Sequence, residues 1–465
     1  MNAMTGRGPA GQLAGTVLAA ARTPCLVFAA AVAAGPIHPA PAAGADALPR
    51  DAERGSAAVL DLAALLAEAE AANPTILAAR ARVRALQTVP SQVEALPDPE
   101  AAISYTNDSV TGFTLGSSPD TELTLSWTQE VPYPGKRRLA GDVARAAIET
   151  AAEELDGIRL RVRAGIKATY AELVRLDRTA SILDESGALL LSLRDAARAR
   201  YETGEGILGD VLKAQTEIVK LDAELAALAQ ERRSVEAALL ALLGRPAAEL
   251  AGVAAAHPRV EIPERDALEQ AARERSPGLR ALRAGAVREE RRVDLARREL
   301  KPDFTWEAAY ANRGGLDPLV MGLFGVRLPL HRGRKQGQAV AQAEHDLDAA
   351  RREAEAGEVA LLAKVRDLRA RAARAATLMQ LYREGVLPQA RGALDAATTA
   401  YGAGQAPLLT LLDDLRTVLE YERGYERERA EQVKAAAELE ALTAMEMVAP
   451  EPADRAATPE GGDDE

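Results

Sequence analysis

The residues able to do chemistry in this chain of 465 residues are few and scattered. Its four histidines, His38, His257, His331 and His345, stand at spacings that build no metal site. The single cysteine, Cys25, supports neither a disulfide framework nor a thiolate ligand set. The stretch PGKRR at Pro134–Arg138 has the glycine and lysine of a phosphate-binding loop. It lacks the GxxxxGK[ST] spacing that lets successive backbone N–H groups surround a phosphate. No nucleophile, base and oxyanion group come together, so the chain is expected to be no enzyme and to need no cofactor. What remains is basic: Lys136, Arg137 and Arg138 after Pro132 and Gly135, and Arg332, Arg334 and Lys335 around Gly333 after Pro329. A net charge of -12 and a pI near 5.2 exclude a binder that neutralises nucleic-acid phosphates, so these clusters serve something local.

The elements that position them follow from periodicity. Aromatics are scarce, while Ala, Leu, Glu, Arg and Lys dominate, a balance suited to long helices packed through small side chains. Residues 1–43 read as an export signal: Arg7 and Arg22, the apolar run Cys25–Ala34, and small residues that place a cut between Ala42 and Ala47. The run is too short to span a bilayer as an anchor, and Arg22-Thr23-Pro24 is no lipobox. Residues 44–59 read as a linker. Beyond it the chain repeats. Asn73-Pro74 corresponds to Ser276-Pro277, Pro97-Asp98 to Pro302-Asp303, Pro132 and Gly135 to Pro329 and Gly333, and Tyr201 and Gly204 to Tyr401 and Gly404. The order is kept, giving two structural repeats, 60–255 and 256–447.

Within each repeat the period changes from helical to two-residue and back. Residues 60–92 read as helical. Strands are expected at about 101–108 and 121–131, and again at about 303–311 and 319–329. Leu123, Leu125 and Trp127 share one face, opposite Thr124, Ser126 and Thr128. Phe304, Trp306, Ala308 and Tyr310 do the same in the second repeat, followed by Val320, Gly322, Phe324, Val326 and Leu328. Eight of the fifteen aromatics fall here: Tyr105, Phe113, Trp127, Tyr133, Phe304, Trp306, Tyr310 and Phe324. That concentration suits membrane strands with interfacial aromatic girdles. A soluble sheet would need a helical apolar cover for its other face, which is polar. Four strands close no barrel, so copies must pool them, and 8, 12 or 16 strands are possible.

Proline is absent from Gly135 to Arg245 and from Leu330 to Leu387. Helical hairpins are therefore expected at about 136–243 and 335–445, turning at YETGEGILG and YGAGQAPLL, with outgoing helices on the order of 100 Å long. A plain coiled coil would leave the strand hairpins unexplained. The fold class expected is mostly α with a small membrane β part, and a ring of such helices is hollow. The ordered double repeat, QEVPYPGKRR, and Tyr-x-x-Gly followed by Asp210-Val211-Leu212-x-Ala214 resemble the TolC family of outer-membrane efflux ducts over residues 60–445. QEVPYPGKRR is similar to the heavy-metal efflux branch, the CzcC-like and CusC-like proteins. The resemblance implies a homotrimer with a twelve-stranded barrel in the bacterial outer membrane, continued by a helical barrel in the periplasm. It also implies docking to a periplasmic adaptor and to an inner-membrane pump of the resistance-nodulation-division type. A type I protein secretion duct shares the fold. A periplasmic coiled-coil adaptor would carry one hairpin flanked by β domains.

In that family the helix tips close the duct and meet the adaptor. The resemblance assigns docking to Tyr201, Gly204, Val211 and Leu212 in the first tip and to Tyr401, Gly404, Leu411 and Leu412 in the second. Thr410 stands where the first repeat has Asp210, leaving Asp413 and Asp414 as the second tip's aperture carboxylates beside Asp210 of the first. A ring of such groups favours cations. The two basic clusters read as a collar between membrane strands and helices, where proline ends strand pairing and glycine permits the turn. Cations at a helix N-terminus oppose its dipole, and lipid phosphates of the inner leaflet are the expected offset. Residues 448–465 are acidic and read as a disordered tail.

Overall fold

A computed structural model describes residues 59–107, 120–245 and 256–449, with positions 112, 115, 118, 250 and 252–254 of the intervening loops. The expected export signal, nearly all of the linker and residues 450–465 lie outside the described residues.

The helical opening of the first repeat is divided. α1 (Leu62–Ala72), α2 (Pro74–Gln87) and α3 (Val89–Glu94) break at Asn73 and Thr88. Asn73 Oδ1 accepts from the N–H groups of Thr75 and Ile76, capping α2, and Pro74 sits at its first position, where no N–H is needed. Asn73 Nδ2 also donates to the Leu242 carbonyl at 2.7 Å, tying this cap to the far end of the first hairpin.

β1 (Glu100–Thr106) and β2 (Glu122–Val131) lead into α4 (Lys136–Glu202), 67 residues without a break, and α5 (Leu208–Leu243) returns along it. The second repeat follows: β3 (Arg259–Val260), α6 (Arg265–Arg275), α7 (Pro277–Arg298), β4 (Asp303–Asn312), β5 (Leu319–Arg327), α8 (Gln336–Leu381), a π-helical turn (Tyr382–Val386), α9 (Leu387–Gly402) and α10 (Leu408–Thr443). The outgoing helix of the second hairpin is thus not the continuous rod expected. Pro388 has no N–H to donate and its ring would clash with the carbonyl one turn earlier, and the turn just before it widens to π geometry.

The four long strands form one antiparallel sheet in the order β1-β2-β4-β5, so the two strand hairpins join through β2 and β4. Cross-strand rows put Ile103, Leu125, Tyr310 and Val320 together, and Ala101, Trp127, Ala308 and Gly322. Their face also holds Trp306, Phe324 and Val326 and is largely exposed. The opposite face carries Ser104, Thr124, Ser126, Thr128, Glu130 and Glu307, with Arg327 reaching Glu130 at 2.5 Å. Strand β5 departs from this alternation, since Leu319, Met321 and Leu323 stand on the otherwise polar face. β1 and β5 are the two edges.

Three apolar clusters hold the helices, and α4 contributes to all of them. Ile166, Leu173 and Val174 meet α1 and the end of α5; Ala164 and Ala171 meet Leu268, Leu368, Val433 and Ala436; Leu183, Leu190 and Leu193 meet the tip of α10. Between the first two clusters lies a buried charge. Lys167 Nζ donates to Glu440 Oε2 at 2.6 Å and to the Val448 carbonyl at 2.9 Å. Glu440 Oε1 accepts from the N–H groups of Met447 and Val448. These contacts and pairing of Val448–Ala449 (β6) with β3 make residue 448 part of the core, so the tail expected to be disordered from 448 is ordered through Ala449. Removing one partner strands a buried charge. Lys167→Met is expected to destabilise the chain by about 3–5 kcal/mol, read by denaturant unfolding in detergent, with Lys167→Met/Glu440→Met recovering part of the loss.

Candidate functional site

At the first collar, Tyr133 O accepts the Lys136 N–H at 3.0 Å and Gly135 adopts a left-handed φ of 95°, opening α4. A Cβ at Gly135 would sit 3.3 Å from the Arg298 guanidinium, which lies over the Tyr133 ring. The offset for the cations here is internal. Asp303, first residue of β4, accepts from the Tyr133 N–H at 2.8 Å and pairs with Lys136 Nζ at 2.8 Å. Glu299 adds a second carboxylate at 3.1 Å. Lys136 is buried, and Arg137 donates to the Glu94 carbonyl at 2.8 Å. The expected reach of Lys136 to lipid phosphates is therefore corrected: its charge is spent joining the two repeats, because a buried ammonium must be paired. Arg138 is exposed.

The second collar differs. His331 O accepts from the N–H groups of Arg334 and Lys335, Pro329 is half-buried, and Arg332, Gly333, Arg334 and Lys335 are exposed beside exposed Leu328 and Leu330. Gly333 has no left-handed φ, so the turn there does not require glycine as Gly135's does. A cleft of about 810 Å³ opens beneath, lined by Lys136, Glu299, Asp303, Arg327, His331 and Lys335.

At the other end the two tips have one backbone design. Gly204 and Gly404 have φ of 81° and 75°, Gly204 N–H donates to Tyr201 O and Gly404 N–H to Tyr401 O, and Glu205 and Gln405 bond back to Arg200 O and Ala400 O. Their environments differ sharply. Tyr401, Leu408 and Leu412 are 5%, 0% and 2% exposed, whereas Tyr201, Leu208 and Leu212 are 46%, 49% and 58% exposed. Leu411 is fully buried as well, while Val211 is half-buried. Tyr401, Leu411 and Leu412 are thus core and present no docking surface; they pack with Leu190, Leu193 and Leu221 of the first hairpin. Arg200 clamps this joint. Its guanidinium lies 5.3 Å from the centre of the Tyr401 ring, its Nη1 donates to Tyr401 O at 2.8 Å, and it fills the space beside Gly404. Burial raises the Tyr401 hydroxyl pKa, with the charge of Asp210 adding to the rise and Arg200 opposing it.

Above the tips, α5 and α10 border a groove of about 660 Å³ floored by Arg175, Thr179 and Leu190 of α4. Arg416 reaches Glu217 at 2.6 Å and Arg423 reaches Glu224 at 2.5 Å across it. Asp413 is exposed and pairs with Arg416 at 3.1 Å, so the chain already partners this aperture carboxylate; Asp210 and Asp414 are half-buried. Burial alone would raise the Glu217 carboxyl, but hydrogen bonds from Arg416 and Lys220 outweigh it and lower its pKa.

His257, set aside in the sequence as a metal ligand, is buried with Nε2 3.1 Å from Glu426. Burial lowers its pKa, with the hydrogen bond to Glu426 opposing. Its spacing from Glu426 offers no local signal. His331 and His345 are exposed.

The profile of the outer membrane efflux protein family matches residues 65–245 and 268–444. This chain belongs to that family. It is an efflux channel of the bacterial outer membrane with a periplasmic helical body, and its family is one of transport channels. It is similar to the cobalt-zinc-cadmium resistance protein CzcC of Cupriavidus metallidurans, 28% identical over 377 residues, covering 79% of this chain and 86% of that one. Among solved structures, VceC of Vibrio cholerae superposes with a TM-score of 0.68 at 21% identity, over 82% of this chain and 96% of that one. CusC does so with a TM-score of 0.71 at 14% identity, over 83% and 92%.

A lowered Glu217 pKa makes the tip joint acid-sensitive. Its contribution is present above the ordinary carboxyl value of 4.5 and is lost as pH falls through the lowered value. Hydrogen exchange at the facing ends of α5 and α10 is expected to quicken over that window, and Glu217→Gln to remove the pH dependence.

Proposed function

We propose that this channel is the outer-membrane duct of a tripartite efflux system for divalent metal cations. Three copies pool their strands into a twelve-stranded barrel, and their paired helical hairpins continue it through the periplasm. The observation that carries this reading is the register of the sheet. It sets Leu125, Trp127, Tyr310 and Phe324 on a lipid-suited face, sets Thr124, Ser126, Glu130 and Arg327 on a polar face, and leaves two edges for further strands. The open edges favour a barrel pooled between copies, because unpaired backbone groups are costly in lipid.

The metal cargo is supported by the likeness to a cobalt-zinc-cadmium resistance protein, which favours it over a protein secretion duct. Asp210, Asp413 and Asp414, repeated around an axis, would draw cations into the aperture. A periplasmic adaptor, linked to a pump of the resistance-nodulation-division type, would dock on the exposed turns, at Tyr201, Gly204 and Gly404. The second collar keeps the lipid role: Arg332, Arg334 and Lys335 meet inner-leaflet phosphates while Leu328 and Leu330 enter the acyl region.

Deleting the gene is expected to raise sensitivity to cobalt, zinc and cadmium, and the protein to be recovered from the outer membrane as a heat-dissociable trimer. A soluble periplasmic monomer would overturn the duct; unchanged metal tolerance would overturn the cargo alone. Replacing Arg332, Arg334 and Lys335 by Gln is expected to lower the yield of inserted trimer. The same change at Lys136 should instead unfold the join between repeats.

A further inference from the structure

The two collars start from one pattern and are finished differently. In the first, Glu94 closes the space between α3 and α4: its carbonyl accepts from Arg137, its carboxylate accepts from Arg145 at 2.7 Å, and it fills the room beside Gly141. Glu299 stands before Lys301-Pro302-Asp303 as Glu94 stands before Leu96-Pro97-Asp98. It turns the other way, across the repeats to Lys136 at 3.1 Å. Among the described residues no equivalent closure forms over α8. The cleft of about 810 Å³ beneath the second collar opens there, between the end of α7, the end of β5 and the start of α8. Its volume is that of a small-ligand site.

The charges lining this cleft are unevenly matched. Lys136 is taken by Glu299 and Asp303, Arg292 by Glu289 and Arg327 by Glu130. Lys301 and Lys335 line the same cleft, are exposed, and have side chains without a partner among the described residues. Lys301 occupies the position that Leu96 holds in the first repeat, so this cation belongs to the second collar alone. Gln336 lines the cleft too, with a buried Oε1 that accepts no hydrogen bond among the described residues. The lining carboxylate left without a partner, Asp346, lies about 16 Å along α8 from Lys335. Leu328 and Leu330 form an exposed apolar lip where β5 ends.

We propose that this cleft holds the headgroup of one anionic phospholipid per copy. Lys301 and Lys335 hold its phosphate, its hydroxyls donate to Gln336 Oε1, and its acyl chains leave over Leu328 and Leu330. Two ammonium groups that the chain leaves unpaired favour a phosphodiester. The apolar lip favours one that carries hydrocarbon over a free phosphate. Phosphatidylglycerol meets these conditions, whereas ethanolamine and choline headgroups bring a cation of their own toward the two lysines. A single selective site goes beyond the diffuse contact of Arg332, Arg334 and Lys335 with inner-leaflet phosphates, and it rests on the membrane placement of the strands proposed above.

The test is native mass spectrometry of the protein recovered from the outer membrane in detergent, titrated with phosphatidylglycerol, phosphatidylethanolamine or phosphatidylcholine. Phosphatidylglycerol is expected to saturate at one lipid per copy and to bind more tightly than the other two. Lys301→Gln/Lys335→Gln should weaken it by about thirtyfold. Ala339→Trp, which fills the cleft from an exposed position, should exclude it with helix content unchanged. Arg332 and Arg334 lie outside the cleft, so Arg332→Gln/Arg334→Gln should leave the lipid bound. Equal binding of the three lipids, or equal loss in the arginine and lysine variants, would overturn the site while the membrane duct stood. Displacement of the lipid by excess inorganic phosphate would make this a free-phosphate site and remove the lipid as its occupant. A lipid-free monomer in the soluble periplasmic fraction would refute the membrane placement itself.

Discussion

Everything in this molecule answers to the two open edges of its sheet. Among the described residues, β1 and β5 each have a strand partner on one side only, leaving backbone N–H and C=O groups on their outer sides. Each such group left bare in hydrocarbon costs several kcal/mol, far more than any side chain on the sheet can return. A β5 apolar on both faces is consistent with an edge meant to be covered. The helices inherit the same incompleteness: the first hairpin leaves its α5 stripe in the open while its twin is sealed.

Against that openness stands α4, the spine of the chain. One helix of 67 residues enters all three apolar clusters, two of them around residues 162–174 and the third at residues 183–193 towards the tip, so the middle and the tip share one spine. Alanine and glycine along it bring neighbouring helices close without large side chains, which is why so few aromatics suffice. Three cations of the first repeat reach across to the second: Lys136 pairs with Asp303 where sheet becomes helix, Lys167 pairs with Glu440 at the middle, and Arg200 lies over the Tyr401 ring at the tip. Each joins the first repeat to the second.

The sequence made the large features legible because they rest on local rules. Strand faces followed from alternation at Leu123, Leu125 and Trp127, and the hairpin turns from Tyr-x-x-Gly, where a left-handed residue is required. What could not be read was partnership across two hundred residues. Lys136 looks like a surface cation until Asp303 is placed beside it, and Leu412 looks identical to Leu212 until one of them is covered. Local pattern carries no information about which of two equivalent faces a chain will bury against itself. Gly333 shows the converse: a matching residue in a matching motif without the left-handed turn that made Gly135 necessary.

The strap formed by Met447 and Val448 bears on biosynthesis. A chain delivered N-terminus first presents α4 well before residues 440–448 arrive, and until then Lys167 has no counter-charge and the second apolar cluster lacks its lid. A polypeptide cut short before Met447 would keep Glu440 beside Lys167 but lose the Val448 carbonyl that accepts from the ammonium and the two N–H groups that Glu440 accepts. Residues 447 and 448 thereby complete the buried network around Lys167, and a chain lacking them is expected to stay open to chaperones and proteases.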